Sequence, residues 1–284
     1  MEIINRRQRM FSISRKLRRE NKTVGFVPTM GALHDGHFSL IKEARQQSDV
    51  VIVSIFVNPA QFNDKADLEK YPRDLTADAA RLAEYTVDYV FAPELAEVYP
   101  PGFSTYVYVE NLSEVFEGAS RPGHFRGVAT VVTILLNTVR PDLAFFGQKD
   151  AQQVAIVKRL VNDLGFETEV VVLPTVREES GLALSSRNEL LSPEEREKAS
   201  VLFRALKEAK LAFKNGERNA LELTQIVQKV IQDEPLAAID YITVVDAETL
   251  QPLDKIGDNE ALIALAVTFG QVRLIDNILL KRKQ

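Results

Sequence analysis

Apolar residues in the first 175 positions fall into short β-branched runs separated by stretches of helical spacing. TVGFV at 23–27, VVIVSIFV at 50–57, DYVFA at 88–92, LAFF at 143–146 and TEVVVL at 168–173 have the length and composition of buried strands. Between them Phe38, Ile41 and Ala44 recur at three-residue intervals. Val128, Val131, Val132, Leu135 and Val139, and then Val154, Val157, Leu160 and Leu164, follow the three-and-four spacing that lines one face of a helix. Strand and helix in alternation predict an α/β fold: a Rossmann-like, doubly wound parallel sheet, with ligands received beyond the carboxyl ends of its strands.

The pattern changes after Pro174. SPEEREKASVLFRALKEAKLAF opens with Ser192 as a cap and Pro193 at the first helical position, and a second helix is expected over 219–233. DYITVVD, ALIALAVTF and VRLIDNILL then read as strands whose short connections suit antiparallel pairing. The expected organisation is a Rossmann-like domain over 1–175 and a smaller α+β domain over 176–284. A chain of 284 residues is long enough for a principal domain with a smaller companion.

Composition narrows the function. With 45% hydrophobic and 26% charged residues the chain is globular. A net charge of -5 and a pI near 5.5 give no general attraction for nucleic acid or anionic membrane, so any phosphate binding must be local. The absence of cysteine excludes disulfides, thiolate metal sites and a cysteine nucleophile. No stretch approaches the roughly 18 uninterrupted apolar residues of a membrane span. The start, MEIINRRQRMFSISRKLRRE, has the spacing of a solvated amphipathic helix and no signal-peptide apolar run, so a cytoplasmic location is expected.

The most informative segment is PTMGALHDGH at 28–37. It joins the strand TVGFV to a helix expected from about Phe38. There, backbone N–H groups and the helix dipole favour an anion, and Gly31 and Gly36 permit close approach. Two of the chain's three histidines, His34 and His37, lie three apart and can face one ligand. The same spacing suits a structural histidine pair. A zinc site would need His124 or a carboxylate as third ligand, at no recognisable spacing.

HDGH resembles the HxGH signature of the nucleotidyltransferase superfamily related to class I aminoacyl-tRNA synthetases, whose members use it on ATP phosphates. The longer blocks GFVPTMGALHDGH, SIFVNPAQF, RPGHFRGVATVV, FFGQKDAQQ and VREESGLALSSRN occur in order between residues 25 and 188. Together they are similar to the pantothenate synthetase family, the pantoate–β-alanine ligases. That resemblance implies an ATP-dependent ligation through a pantoyl adenylate, with pyrophosphate and then AMP released. It also implies Mg²⁺ carried on the ATP phosphates rather than in a protein cage, and a homodimer.

The resemblance also implies the site. Met30, Gly31, Ala32, Leu33, His34, Asp35, Gly36 and His37 would bind ATP, with His34 and His37 donating to phosphate oxygens. His37 would act as proton donor or as an electrostatic donor, two roles the sequence does not separate. Gln61 would contact pantoate and in turn β-alanine, and Gln153 would contact pantoate. Gly147, Gln148, Lys149 and Asp150 would complete a second nucleotide loop, with Lys149 as a catalytic cation at the α-phosphate. Asp150 would meet the ribose or serve as a plain helix cap; at Gln148 other members carry Glu. Val176, Leu184, Ser185, Ser186 and Arg187 would complete the nucleotide contacts, the two hydroxyls and the guanidinium making a phosphate clamp that closes over ATP. Arg121, His124 and Arg126 would touch substrate or order a lid, or, with Pro122 and Gly123, mark a turn. A nucleotidyltransferase with another acceptor and a catalytically silent nucleotide-binding regulator are the alternative functions.

Overall fold

The computed structural model describes residues 1–63 and 65–282. By its contacts the chain forms two compact units, one of Met1–Gly147 with Ile156–Leu173, the other of Gln148–Ala155 with Pro174–Gln284. The segment Gln148–Ala155, read from sequence as part of the first domain, thus groups with the second unit.

In the first unit β1 (Glu2–Ile4), β2 (Val24–Thr29), β3 (Val50–Ile55), β4 (Tyr89–Phe91), β5 (Leu143–Gly147) and β6 (Glu169–Leu173) form one parallel sheet in the order β1-β4-β3-β2-β5-β6. The direction of winding reverses between β2 and β5, so the loop after β2 lies at the topological switch point, where open parallel sheets bind ligands. Pro28 is tolerated in a central strand because the β2–β5 ladder ends at Phe26 and Ala144, two residues before it. Gly25 has a different reason: a Cβ there would lie 2.4 Å from Ser48 Oγ and 3.3 Å from the Phe145 ring.

Helices cover this sheet. Asp35–Gln47 buries Phe38, Leu40, Ile41 and Ala44 against Val27, Val51, Val53 and Phe145, with Leu82 of helix Leu75–Ala83 in the same cluster. Helix His124–Val139 buries eleven of its residues, far more than one stripe. The amino-terminal helix Arg7–Arg19 buries Met10, Ile13, Ser14 and Leu17. Strand β1, which the sequence does not announce, is an edge of three residues. Strand β3 stops at Ile55 rather than Val57, because Asn58 begins the 3-10 turn Pro59–Gln61 and caps it by accepting from Ala60 N.

The second unit has β7 (Ala237–Asp246), β8 (Ala261–Phe269) and β9 (Val272–Leu280) as an antiparallel sheet in sequence order. Helices Val201–Lys214 and Ala220–Gln232 supply Leu202, Leu206, Phe213, Leu223, Val227 and Ile231 to one core with Ile263, Leu265 and Val267 of β8. The helix read as starting at Ser192 is two helices, Pro193–Lys198 and Val201–Lys214. Ser200 Oγ takes the Glu197 carbonyl at 2.7 Å, and the local backbone bonds shorten to three-residue spacing, which closes the first helix. Ser192 is the cap the sequence suggested: its hydroxyl accepts from Glu195 N, and the Glu195 carboxylate accepts in turn from Ser192 N, which makes the cap reciprocal.

Candidate active site

The loop after β2 is built by its own side chains. Thr29 Oγ1 donates to Ser54 O and accepts from Gly31 N. Gly31, at φ +84, turns the chain, and Ala32 follows at φ +51. The next two amides are taken by a residue 45 positions away: Asp78, 6% exposed, accepts Ala32 N on one oxygen at 3.0 Å and Leu33 N on the other at 2.9 Å. A Cβ on Gly31 would lie 2.9 Å from that carboxylate. Arg81, one helical turn on, donates to Leu33 O and stacks over Phe38 at 4.4 Å.

The helix begins at Asp35, three residues before the expected start, and His34 is its cap. His34 Nδ1 accepts from Gly36 N at 3.2 Å, and His37 Nδ1 accepts from His34 N at 3.3 Å. The two rings lie 4.1 Å apart, and a Cβ at Gly36 would sit 2.9 Å from the His34 ring. An Nδ1 that accepts carries no proton, so each neutral imidazole holds its proton on Nε2. This changes the phosphate-binding expectation. The backbone N–H groups of Gly31, Ala32, Leu33, His34, Gly36, His37 and Phe38 all have acceptors within the protein. The donors suited to an anion at this helix end are therefore the imidazole Nε2–H groups, backed by the dipole, rather than the amides the glycines were expected to expose.

Gln61 is nearly buried beside this loop. Its Nε2 donates to Met30 Sδ at 3.0 Å, and its Oε1 accepts from Asn58 Nδ2 at 3.0 Å. Asn58, fully buried, also donates to Gly127 O and accepts from Tyr99 OH at 2.8 Å. Burial pushes the Tyr99 phenol well above its ordinary pKa, so it remains a donor at any physiological pH. Gly127 is required here, because a Cβ would come within 2.3 Å of Ala60 O. The Gln61 carbonyl meets Arg121 Nη2 at 3.3 Å and His124 Nδ1 at 2.8 Å. Two residues of RPGHFRG thus hold the backbone of the Gln61 turn.

The second unit carries the remaining candidates. Gln148, Lys149 and Asp150 form a 3-10 turn directly before helix Ala151–Asp163, and Lys149 Nζ lies 3.4 Å from Asp150 Oδ1. The Gln148 side chain donates to Asn277 of β9 at 3.1 Å. Val176 and Leu184 face each other in a tight hairpin, where Leu184 N donates to Val176 O and Arg177 bridges Ala183. Ser185 caps the 3-10 turn Ser186–Leu190, its hydroxyl accepting from Arg187 N at 3.3 Å. Lys149, Ser185 and Arg187 line one narrow cleft. Val176, Leu184, Ser186 and Gln153 do not line it. Among the described residues no three His, Cys, Asp or Glu side chains are grouped to hold a metal ion. No helix among them is long and apolar enough to cross a membrane.

A doubly wound parallel sheet with H-x-G-H at the start of the helix after its central strand defines a class, Rossmann-like α/β proteins with a histidine pair at the topological switch point. The chain belongs to the pantoate–β-alanine ligase family, whose model, described as Pantoate-beta-alanine ligase, matches residues 2–279. It is similar to the pantothenate synthetase of Carboxydothermus hydrogenoformans, at 56% identity over 93% of each chain. The crystal structure of pantothenate synthetase from Thermus thermophilus is 46% identical, with a TM-score of 0.89 over 98% of this chain and 99% of that one. Pantoate-beta-alanine ligase from Francisella tularensis, solved in complex with beta-gamma ATP and beta-alanine, is 40% identical, with a TM-score of 0.79 over 98% of this chain and 97% of that one.

Asp78, Asn58, Tyr99 and Gly127 are the parts of the site that sequence reasoning missed. Asn58 lay inside a recognised block, NPAQF, with a buried role no spacing could reveal. Asp78 sits in an ordinary amphipathic helix and looks like any first-turn acid.

Proposed function

We propose that this protein condenses (R)-pantoate with β-alanine at the expense of ATP, in two steps. The pantoate carboxylate attacks the α-phosphorus, forming pantoyl adenylate and releasing pyrophosphate. The β-alanine amine then attacks the activated carbonyl, a C–N bond forms, and AMP leaves with its electron pair. A free carboxylate is a poor electrophile, and adenylation supplies the leaving group it lacks.

The residues divide accordingly. His34 and His37 present Nε2–H donors to phosphate oxygens as charge builds on the departing pyrophosphate. With both rings oriented by their Nδ1 contacts, His37 serves as a hydrogen-bond donor to that charge. Met30 to His37, Gly147 to Asp150, Val176 and Leu184 to Arg187 are assigned to ATP, with Lys149 the point charge for the α-phosphate and Mg²⁺ arriving on the nucleotide. Gln61 is assigned to pantoate and β-alanine and Gln153 to pantoate. The observation that carries this reading is the reciprocal His34–His37 cap, which holds both rings in one tautomer at a helix amino end.

The protein is proposed to act in the cytoplasm as a homodimer. Tyr106 and Tyr108, 49% and 45% exposed in a segment outside any strand, offer apolar surface for association, and sedimentation tests that state. The activity is tested by exchange of labelled pyrophosphate into ATP. Exchange should require pantoate, and AMP should accumulate only when β-alanine is added. Exchange that proceeds without pantoate, or none at all, would overturn the assignment.

A further inference from the structure

Three polar side chains of the second unit, the partly buried Arg177 and the buried Asp276 and Asn277, lie in places the assigned chemistry does not use. Asp276 is 3% exposed and Asn277 is 5% exposed. A buried ion pair is poor evidence of stability, since desolvation offsets much of its attraction, so its retention invites another explanation. Both Asp276 oxygens are engaged by Arg177, at 2.6 Å from Nη1 and 2.8 Å from Nη2. Arg177 also donates to Gly181 O at 3.1 Å and lies 3.8 Å over the Phe203 ring. Asp276 therefore fixes the hairpin that runs from Val176 to Leu184 and delivers Ser185–Arg187.

The next residue does the corresponding work for the other segment. Asn277 Nδ2 donates to the carbonyls of Gln148 and Lys149, each at 2.9 Å, while its Oδ1 accepts from Gln148 Nε2. Only one orientation of this amide works, because inverting it would set an oxygen against two carbonyls. Consecutive residues of a strand point to opposite faces, so one dipeptide serves two segments. Its own position is fixed by the sheet, where Asp276 pairs with Leu265 and Asn277 with Ala264 of the buried β8.

The geometry points to Asp276 and Asn277 as positioning residues for the adenylation step, setting Lys149 and the Ser185–Arg187 turn at fixed separation across the cleft that both line. This rests on the nucleotide roles given above to Lys149 and Ser185–Arg187. The test uses the full chain and three variants: Asn277→Ala, Lys149→Ala and the double substitution. Each is followed by pantoate-dependent pyrophosphate exchange and by thermal unfolding. Asn277→Ala should lower kcat/KM for ATP by about 10- to 100-fold, the scale for misplacing a catalytic group by an ångström. KM for pantoate should stay within about twofold of the parent, and the double variant should be no worse than Lys149→Ala, as expected for residues acting as one unit. Losses that multiply in the double variant, or a pantoate KM that rises in step with that for ATP, would overturn the inference. Normal exchange by Asn277→Ala beside an impaired Lys149→Ala overturns the positioning role alone. Normal exchange by Lys149→Ala overturns both it and the nucleotide assignment. Asn277→Ser carries the same comparison should the alanine variant not fold.

Discussion

At the scale of single residues, the two imidazoles carry most of the proposed chemistry, and a pair of substitutions separates two roles for His37. Its Nδ1 accepts from His34 N, so the donor proposed to meet phosphate is Nε2–H. A donor that only holds charge can be replaced by another donor of similar reach; one that must transfer its proton cannot. His37→Ala should therefore reduce pyrophosphate exchange by about 100-fold or more, the cost of losing a preorganised donor to developing charge. His37→Gln, whose amide N–H lies near the lost Nε2, should recover a substantial part of it. Equal loss in both variants would assign His37 to proton transfer. Asn58→Ala makes a parallel case for the proposed pantoate contact at Gln61. It removes the donor to Gln61 Oε1 and the acceptor of Tyr99 OH, so KM for pantoate should rise more than KM for ATP, measured in the same exchange assay. A rise confined to ATP would disconnect Asn58 from pantoate.

At the scale of elements, the loop after β2 is shaped by a helix 45 residues further along the chain. Asp78 on Leu75–Ala83 satisfies two consecutive amides of a turn with positive φ at Gly31 and Ala32, and each amide needs an acceptor where water is excluded. Asp78→Asn keeps one acceptor and points an N–H₂ at the other amide. It should destabilise the protein by about 1–3 kcal/mol, the cost of a buried unsatisfied group, and should raise KM for ATP. Chemical denaturation with substrate titration checks both; unchanged stability would mean that the loop holds its shape without this carboxylate. This is also where sequence reading reached its limit. Val50–Ile55 and β8 were legible because a continuous buried strand leaves a continuous apolar run, and the Ser192 cap was legible because its partner is three residues away. The early helix start at Asp35 was hidden by two glycine-and-histidine positions of low helix propensity, which the reciprocal imidazole cap overrides. The break at Ser200 depends on one hydroxyl taking one carbonyl, a choice that no periodicity records. Tertiary anchors such as Asp78 to Ala32 leave no local signal at all.

At the scale of the whole molecule, the acid limit of folding should be set in part by the Val176–Leu184 hairpin of the second unit and the turn that follows it. Glu178 accepts from Arg196 at 2.8 Å and from Asn188 Nδ2 at 3.1 Å, joining the Val176–Leu184 hairpin to helix Pro193–Lys198 and to the turn that carries Arg187. The Arg196 hydrogen bond holds the Glu178 carboxyl below its ordinary range, with the Asn188 contact acting in the same direction and partial burial against it. A carboxylate whose pKa is lower in the folded than in the unfolded chain binds fewer protons when folded. Its contribution to stability is therefore complete above the unfolded value, about 4.3 for Glu, and is lost as the pH falls through the folded one. Glu178→Gln removes that titration while keeping a polar side chain of the same length. The melting temperature of the parent should exceed that of the variant at neutral pH, and the gap should narrow below about pH 4.3 as the parent's carboxylate is protonated. Melting curves that stay parallel from about pH 7 to about pH 3 would show that the Glu178 charge does not contribute to holding the hairpin, the turn and the helix together. Convergence would identify the Glu178 charge as a contributor to stability that acid removes, while the sheet cores, whose buried clusters are apolar, carry no such charge.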